Sequence, residues 1–308
     1  MSPGTVGTIG FVGTGVMGAA MAGHLLDAGY ALRVHNRTRA KTDSLVQRGA
    51  TWCQTAGEAA SGADAIITMV GFPSDVEAAY LAAGGIIECA GPDALLVDMT
   101  TSSPALAVRI AGQAAERGLM VLDAPVSGGD IGAKSATLTI MAGGESAAFE
   151  RARPLFAALG RTITLHGGPG AGQHCKMANQ IAIAASMFGL AECLTYAKAV
   201  GLEPARVIET LSGGSAQSWT LQNYGPRVLS GDFTPGFFVK HFVKDLRIAL
   251  DEAQSAGLTL PGLELAERLY STLLESGGSE LGTQALCLLY ADAEERELLG
   301  IDASVAGL

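Results

Sequence analysis

The sequence has no block of basic residues, no paired cysteines, no internal repeat and no low-complexity tract. Each absence removes a class of function. With a formal net charge of −10 at pH 7, most of the surface repels nucleic acid and anionic membrane, and no Lys/Arg cluster offers a local exception. The five cysteines, Cys53, Cys89, Cys175, Cys193 and Cys287, are scattered, odd in number and never spaced C-x-x-C. A disulfide framework or zinc site has no basis in that pattern, and no metal is expected. Apolar runs of bilayer length are also missing. The most apolar segment, Ile181 to Ala191, is closed by Asn179, Gln180 and Glu192, short of the roughly 20 residues needed to span a membrane. The opening MSPGTVGTIGFVG lacks the basic region and cleavage site of a secretory signal. A soluble, cytoplasmic protein with reduced thiols is the expectation.

What is present is enough apolar material for a large core, 48% of 308 residues, arranged with a clear rhythm. Short β-type runs (VGTIGFV, ALRVH, AIITMV, ALLVDM, LMVLDA, TLTIMAG, TITLHG) alternate with helical segments. That alternation predicts an α/β fold, a doubly wound and largely parallel sheet. After Gly167-Gly168-Pro169-Gly170 the strand pattern gives way to helical periodicity. The sequence therefore predicts two domains, residues 1–168 and an all-helical 169–308, joined by a helix that begins near Gln173.

Between the first strand and the first helix lies Gly10-Phe-Val-Gly13-Thr14-Gly15-Val16-Met17-Gly18, which contains G-x-G-x-x-G. Its glycines serve a tight turn, close approach of backbone to a pyrophosphate, and close packing of helix on strand. The helix N-terminus then faces the phosphates. In a chain with 41 glycines the pattern alone is weak, but its place between a strand and an amphipathic helix points to dinucleotide binding. The second strand ends without the acidic residue that an NAD site places there for the ribose hydroxyls. Asn36-Arg37-Thr38 stand instead, followed by Arg39 and Lys41. A guanidinium holds a 2′-phosphate that a carboxylate would repel, so NADP is preferred and NAD remains possible.

Ligands of open α/β sheets bind beyond the carboxyl ends of the strands. One loop there is Asp98-Met-Thr100-Thr101-Ser-Ser-Pro104, whose hydroxyls either serve a ligand or cap the helix that Pro104 begins. Another is Asp123-Ala-Pro-Val-Ser127-Gly128-Gly129, where a hydroxyl and exposed backbone N–H groups suit a small carboxylate, though an ordinary turn reads the same way. On the joining helix, Lys176 and Asn179 are three residues apart and share a face that begins where the two domains should meet. Out of context such a lysine snorkels from a surface helix. Beside a nicotinamide nucleotide it is the best-placed proton partner for the hydride, because no histidine is equally well placed.

The segments GFVGTGVMGAAMAGHL, NRT, DMTTSSP, DAPVSGGDIGA, GPGAGQHCKMANQ and FVKHFVKDLRIAL, in that order, resemble the β-hydroxyacid dehydrogenase family over nearly the whole chain. That family includes 3-hydroxyisobutyrate dehydrogenases, tartronate semialdehyde reductases and glyoxylate/succinic semialdehyde reductases. The resemblance implies a Rossmann-like domain joined by a long helix to an all-α domain through which dimers or tetramers form. It also implies Lys176 as catalytic acid/base, Asn179 orienting the substrate, and Ser127, Gly128 and Gly129 binding its carboxylate. Thr101 would lie near the nicotinamide ribose and Lys244 would contact cofactor or substrate. Two departures stand out: Ala136 occupies the second glycine of the usual G-A-x-x-G-[ST]-L, and Thr100-Thr101 replaces the commoner Ser-Thr or Ser-Ser. The implied activity is hydride transfer between NADP(H) and a short 3-hydroxy acid or its semialdehyde. An imine reductase shares the architecture but usually lacks the lysine and the S-G-G. A non-catalytic NADP-binding scaffold would have no need of Lys176, Asn179 and Ser127 together.

Overall fold

A computed structural model describes residues 6–291. The chain divides into two compact units between Lys176 and Met177. Among the described residues of the N-terminal unit nine strands form one sheet: β1 (Thr8–Val12), β2 (Ala31–His35), β3 (Thr51–Trp52), β4 (Ala65–Thr68), β5 (Leu95–Asp98), β6 (Met120–Asp123), β7 (Val126–Ser127), β8 (Leu138–Gly144) and β9 (Gly160–Leu165). Their order is β3-β2-β1-β4-β5-β6-β8-β7, with β9 on β8. From β3 to β6 every pairing is parallel, and β8 then joins β6 antiparallel. The short β3 and β7 carry too few residues to show a strand period in sequence, which is why only seven runs are legible there.

The central strands are buried on both faces, so their sequences read as continuous apolar runs. Alternate residues serve opposite cores. Ile9, Phe11, Ile67, Leu95 and Val97 pack in one cluster, whereas Val12, Ile66 and Leu96 pack in the other. The strand order reverses between β1 and β4, and at such a point the loops at the carboxyl ends diverge and leave a crevice. The glycine turn after β1 is therefore placed where a ligand can enter.

The helix Ala171–Ala199 is 29 residues long. By length and composition alone it is apolar enough to cross a membrane, which the shorter run read from sequence did not suggest. Its polar residues extend the helix beyond the apolar run at both ends. Met177, Ala184, Met187, Leu190 and Leu194 on it belong to the core of the C-terminal unit, together with Phe242 and Tyr270, whose rings stand edge to face at 4.8 Å. That unit is completed by helices Pro204–Ser212, Trp219–Leu229, Val239–Ser255 and Pro261–Glu275.

Candidate active site

Each glycine of the first turn answers to a distinct steric demand. Gly13 has φ +98°, and a Cβ there would stand 2.2 Å from the Met69 carbonyl oxygen after β4. At Gly18 a Cβ would meet the Gly13 carbonyl at 1.9 Å, so the helix can approach the strand only without one. Gly15 is different: nothing lies within 4 Å of its Cβ position, and it is the N-cap of helix Val16–Asp27 with no side chain capping it. The first N–H groups of that helix thus face open space beside a bare backbone, as close approach of an anion requires. Thr14 is buried, and its Oγ1 has no hydrogen-bond partner. An open cradle and an orphaned buried hydroxyl at a helix N-terminus fit a dinucleotide pyrophosphate. Val16 is exposed and Met17 half-buried on the first turn.

The end of β2 is tied to this turn. Thr14 N–H donates to Asn36 Oδ1 at 3.0 Å, while Asn36 Nδ2 donates to the Thr38 carbonyl at 2.9 Å. Asn36 is thereby a structural brace as well as a candidate ribose contact. Arg37 keeps a side chain 90% exposed, touching Asp75 Oδ1 only at 3.5 Å. Such an exposed pair contributes little and leaves the guanidinium able to turn. Arg39 lies over the ring of Trp52 on β3, 4.5 Å from its centroid. Trp52 thus carries the Arg39 guanidinium on its ring face.

Two buried carboxylates lie side by side at the ends of β5 and β6, where Asp98 and Asp123 are register partners. Burial is the main influence on Asp98 and raises its pKa to about 6, against hydrogen bonds from Thr68 Oγ1 at 2.7 Å and Thr100 N–H at 3.1 Å. Asp123 is also raised by burial, although it accepts from Gly170 N–H at 2.7 Å and Gln173 N–H at 2.8 Å. Thr100 does not cap the helix begun by Pro104. Its Oγ1 accepts from Val70 N–H at 3.0 Å, and the cap is Ser103, whose Oγ accepts from Leu106 N–H at 3.1 Å. Thr101 is left half-buried between Thr100 and Ser102, both buried.

In the next loop Ser127, the last residue of β7, is half-buried, and Gly128 and Gly129 have φ of +124° and +60°. The helix Gly129–Lys134 follows at once. It ends in a paired closure: Thr137 N–H donates to the Gly132 carbonyl at 2.9 Å and Ala136 N–H to the Ala133 carbonyl at 3.4 Å. The residue at the turn of that closure is Ala136, at φ +52°, in the left-handed region that glycine adopts more easily.

Lys176 is buried, 6% exposed, which excludes a lysine snorkelling freely from a surface helix. Asn179, half-buried and one turn further on, donates through Nδ2 to Gln180 Oε1 at 2.7 Å. Gln180 Nε2 donates in turn to Asp245 Oδ2 at 2.6 Å. Asp245 Oδ1 pairs with Lys244 Nζ at 2.9 Å, with side chains 1% and 12% exposed. Asn179 and Lys244 are thus linked by one polar chain through Gln180 and Asp245. Near it, the pKa of His241 is lowered by burial first and then by the Lys244 charge, which favours the neutral imidazole.

Two family models match consecutive stretches of the chain. The NAD binding domain of 6-phosphogluconate dehydrogenase matches residues 8–168, and the NAD-binding domain of NADP-dependent 3-hydroxyisobutyrate dehydrogenase matches residues 170–290. The chain belongs to the β-hydroxyacid dehydrogenase family. It is therefore a nicotinamide-nucleotide-dependent oxidoreductase that acts on a small molecule. Within the family it is 52% identical to an uncharacterized oxidoreductase of Bacillus subtilis over 283 residues, 92% of this chain and 98% of that one. It is 41% identical to the 2-hydroxy-3-oxopropionate reductase of Escherichia coli over 278 residues, 90% of this chain and 95% of the other. Among solved structures, the 3-hydroxyisobutyrate dehydrogenase of Mycobacterium tuberculosis with L-serine superposes with a TM-score of 0.85 at 29% identity, covering 94% and 100% of the two chains.

Sequence reasoning missed Asp98, Asp123, Gln173, Gln180 and Asp245 as partners of the residues it singled out. Their trace was there: Asp98 and Asp123 end apolar strands, Gln173 and Gln180 lie within one turn of Lys176 and Asn179, and Asp245 follows Lys244 directly.

Proposed function

We propose that this chain is an NADP-preferring dehydrogenase or reductase of a short 3-hydroxy acid and its semialdehyde, with Lys176 as the general acid/base. Residues 1–168 bind the nucleotide, and residues 169–308 carry substrate and oligomer contacts as a homodimer or homotetramer in the cytoplasm. The carrying observation is the burial of Lys176 one turn after Gln173, which is bonded to the loop that carries Thr101, and one turn before Asn179 on the same helix. The bound nucleotide supplies a hydride acceptor or donor at its nicotinamide ring. The pyrophosphate is held by Gly13, Thr14, Gly15, Val16, Met17 and Gly18, and the adenosine end by Asn36, Arg37 and Thr38. An exposed Arg37 with no carboxylate at the end of β2 supports NADP over NAD. Ser127, Gly128 and Gly129 hold the substrate carboxylate, Asn179 orients the substrate, Thr101 lies beside the nicotinamide ribose, and Lys244 contacts cofactor or substrate.

In the oxidative direction Lys176 Nζ accepts the hydroxyl proton as the carbonyl forms, and in the reductive direction it returns that proton to the alkoxide oxygen. Exposed Tyr196, Val200 and Leu202 at the end of helix Ala171–Ala199 and just beyond it support self-association. The test is NADP reduction with serine, 3-hydroxyisobutyrate, 3-hydroxypropionate, glycerate and 4-hydroxybutyrate, and NADPH oxidation with the matching aldehydes. Turnover of at least one 3-hydroxy acid, with its methyl ester much poorer, is expected. Equal turnover of acid and ester would remove the carboxylate assignment.

A further inference from the structure

Gln173 is completely buried, one turn before Lys176 on the same helix, and nothing in its chemistry reacts. What distinguishes it is the set of groups it holds. Its Nε2 donates to the Thr100 carbonyl at 2.8 Å, and its Oε1 accepts from Ser102 N–H at 2.9 Å. Its backbone N–H donates to Asp123 Oδ2 at 2.8 Å. One amide side chain therefore grips the loop after β5 on both sides of a single residue, Thr101. The rest of that loop is fixed from the sheet side, through Thr100 N–H on Asp98 and Val70 N–H on Thr100 Oγ1. A neutral amide is suited to this place, since it must donate and accept at once beside two buried carboxylates.

We propose that Gln173 is a positioning residue, setting the Thr101 hydroxyl relative to the turn that carries Lys176 so that the nicotinamide end of the nucleotide is held in register with the proton donor. This rests on the reading above that Thr101 lies beside the nicotinamide ribose. Misplacement of about 1 Å in such a constellation costs up to 100-fold in rate. Gln173 acts only through the loop, so its effect must disappear when Thr101 has nothing left to position.

The test is a double-mutant cycle with Gln173→Leu and Thr101→Val, read out first by NADPH affinity from nucleotide fluorescence in the absence of turnover, then by kcat, with urea midpoints alongside. Each single variant is expected to weaken NADPH by about ten-fold, one charge-free hydrogen bond, and the double variant to be no weaker than the poorer single. Multiplicative losses, near 100-fold in the double variant, would show that Gln173 acts on stability or elsewhere and overturn the inference. Wild-type affinity in Thr101→Val would remove the ribose assignment itself and the inference with it, whereas an affected Thr101→Val beside an unaffected Gln173→Leu would remove only the inference.

Should Gln173→Leu fail to fold, Gln173→Glu decides. A protonated glutamic acid donates to the Thr100 carbonyl and accepts from Ser102 N–H as the glutamine does, but the carboxylate cannot donate. The titratable groups about that position are Asp123 and Asp98 from the sheet and His174, Cys175 and Lys176 from its own helix. Lowering the pH from 8 to 6 should bring the affinity of Gln173→Glu back toward that of the wild type measured at the same pH. A loss of affinity relative to the wild type that stays constant across that range overturns the inference.

Discussion

Gln180 Nε2 stands 2.6 Å from Asp245 Oδ2, while the other oxygen of that carboxylate faces Lys244 Nζ at 2.9 Å. A buried anion is thus compensated from two elements at once, helix Ala171–Ala199 and helix Val239–Ser255. Breaking a buried pair from one side leaves an uncompensated charge, worth about 3–5 kcal/mol. Asp245→Ala should therefore lower the urea-unfolding free energy by about 3 kcal/mol. Asp245→Asn keeps an acceptor for Gln180 but leaves Lys244 equally uncompensated, so it should lose nearly as much, and a clearly smaller loss would show that the hydrogen bond to Gln180 rather than the charge dominates.

Lys176→Ala should lower kcat by roughly 10²- to 10⁴-fold, the usual span for one general acid/base, with NADPH affinity nearly unchanged. Lys176→Arg keeps the charge yet cannot release a proton near neutral pH, so it should be nearly as slow. Substantial activity in the arginine variant would leave Lys176 as an electrostatic anchor alone.

Arg37→Asp should weaken NADP by about 2 kcal/mol or more and NAD far less, because it removes a charge-assisted contact and adds repulsion. Stability should hardly change, since the exposed contact to Asp75 at 3.5 Å contributes little. Titration of both nucleotides by fluorescence checks this, and equal losses would show that Arg37 does not read the 2′-phosphate.

Asp98 links stability to pH. Its folded pKa of about 6 lies above the ordinary 3.8, so between those values the folded protein binds more protons than the unfolded one. Stability from this group should be greatest below about pH 4, fall as the pH rises to about 6, and stay level above, by about 3 kcal/mol at most. Asp123, raised in the same sense, adds to the slope. Urea midpoints from pH 4 to 7 should fall less steeply in Asp98→Asn than in the wild type, and parallel curves would remove the assignment.

Ala136 holds φ +52° at the closure of the helix after the S-G-G loop. An alanine in that region costs about 1–2 kcal/mol, partly offset by the greater freedom that a glycine loses on folding. Ala136→Gly should therefore stabilise the protein by about 0.5–1 kcal/mol in thermal or urea unfolding, and destabilisation would mean that the methyl group packs usefully.

Motifs that depend on neighbours in sequence were legible before the structure. The glycine turn could be read because Gly13, Gly15 and Gly18 act within one strand-turn-helix, and the central strands because two-sided burial writes an apolar run. The braces were not. Gln173 meets Ser102 across 71 positions and Gln180 meets Asp245 across 65, and no local period announces such a pair. The departure at Ala136 was visible as a missing glycine, but its left-handed backbone, and hence its cost, belongs to the helix closure around it.

Asp123 reaches from the end of β6 to receive the N–H groups of Gly170 and Gln173, at the opening of helix Ala171–Ala199. This 29-residue helix is therefore begun by a carboxylate 47 to 50 positions earlier. Its first turn is not a local folding unit. The acceptor for its first N–H groups comes from the end of β6, a strand held in register by β5, so the turn bearing Lys176 is anchored to the sheet rather than set by its own sequence.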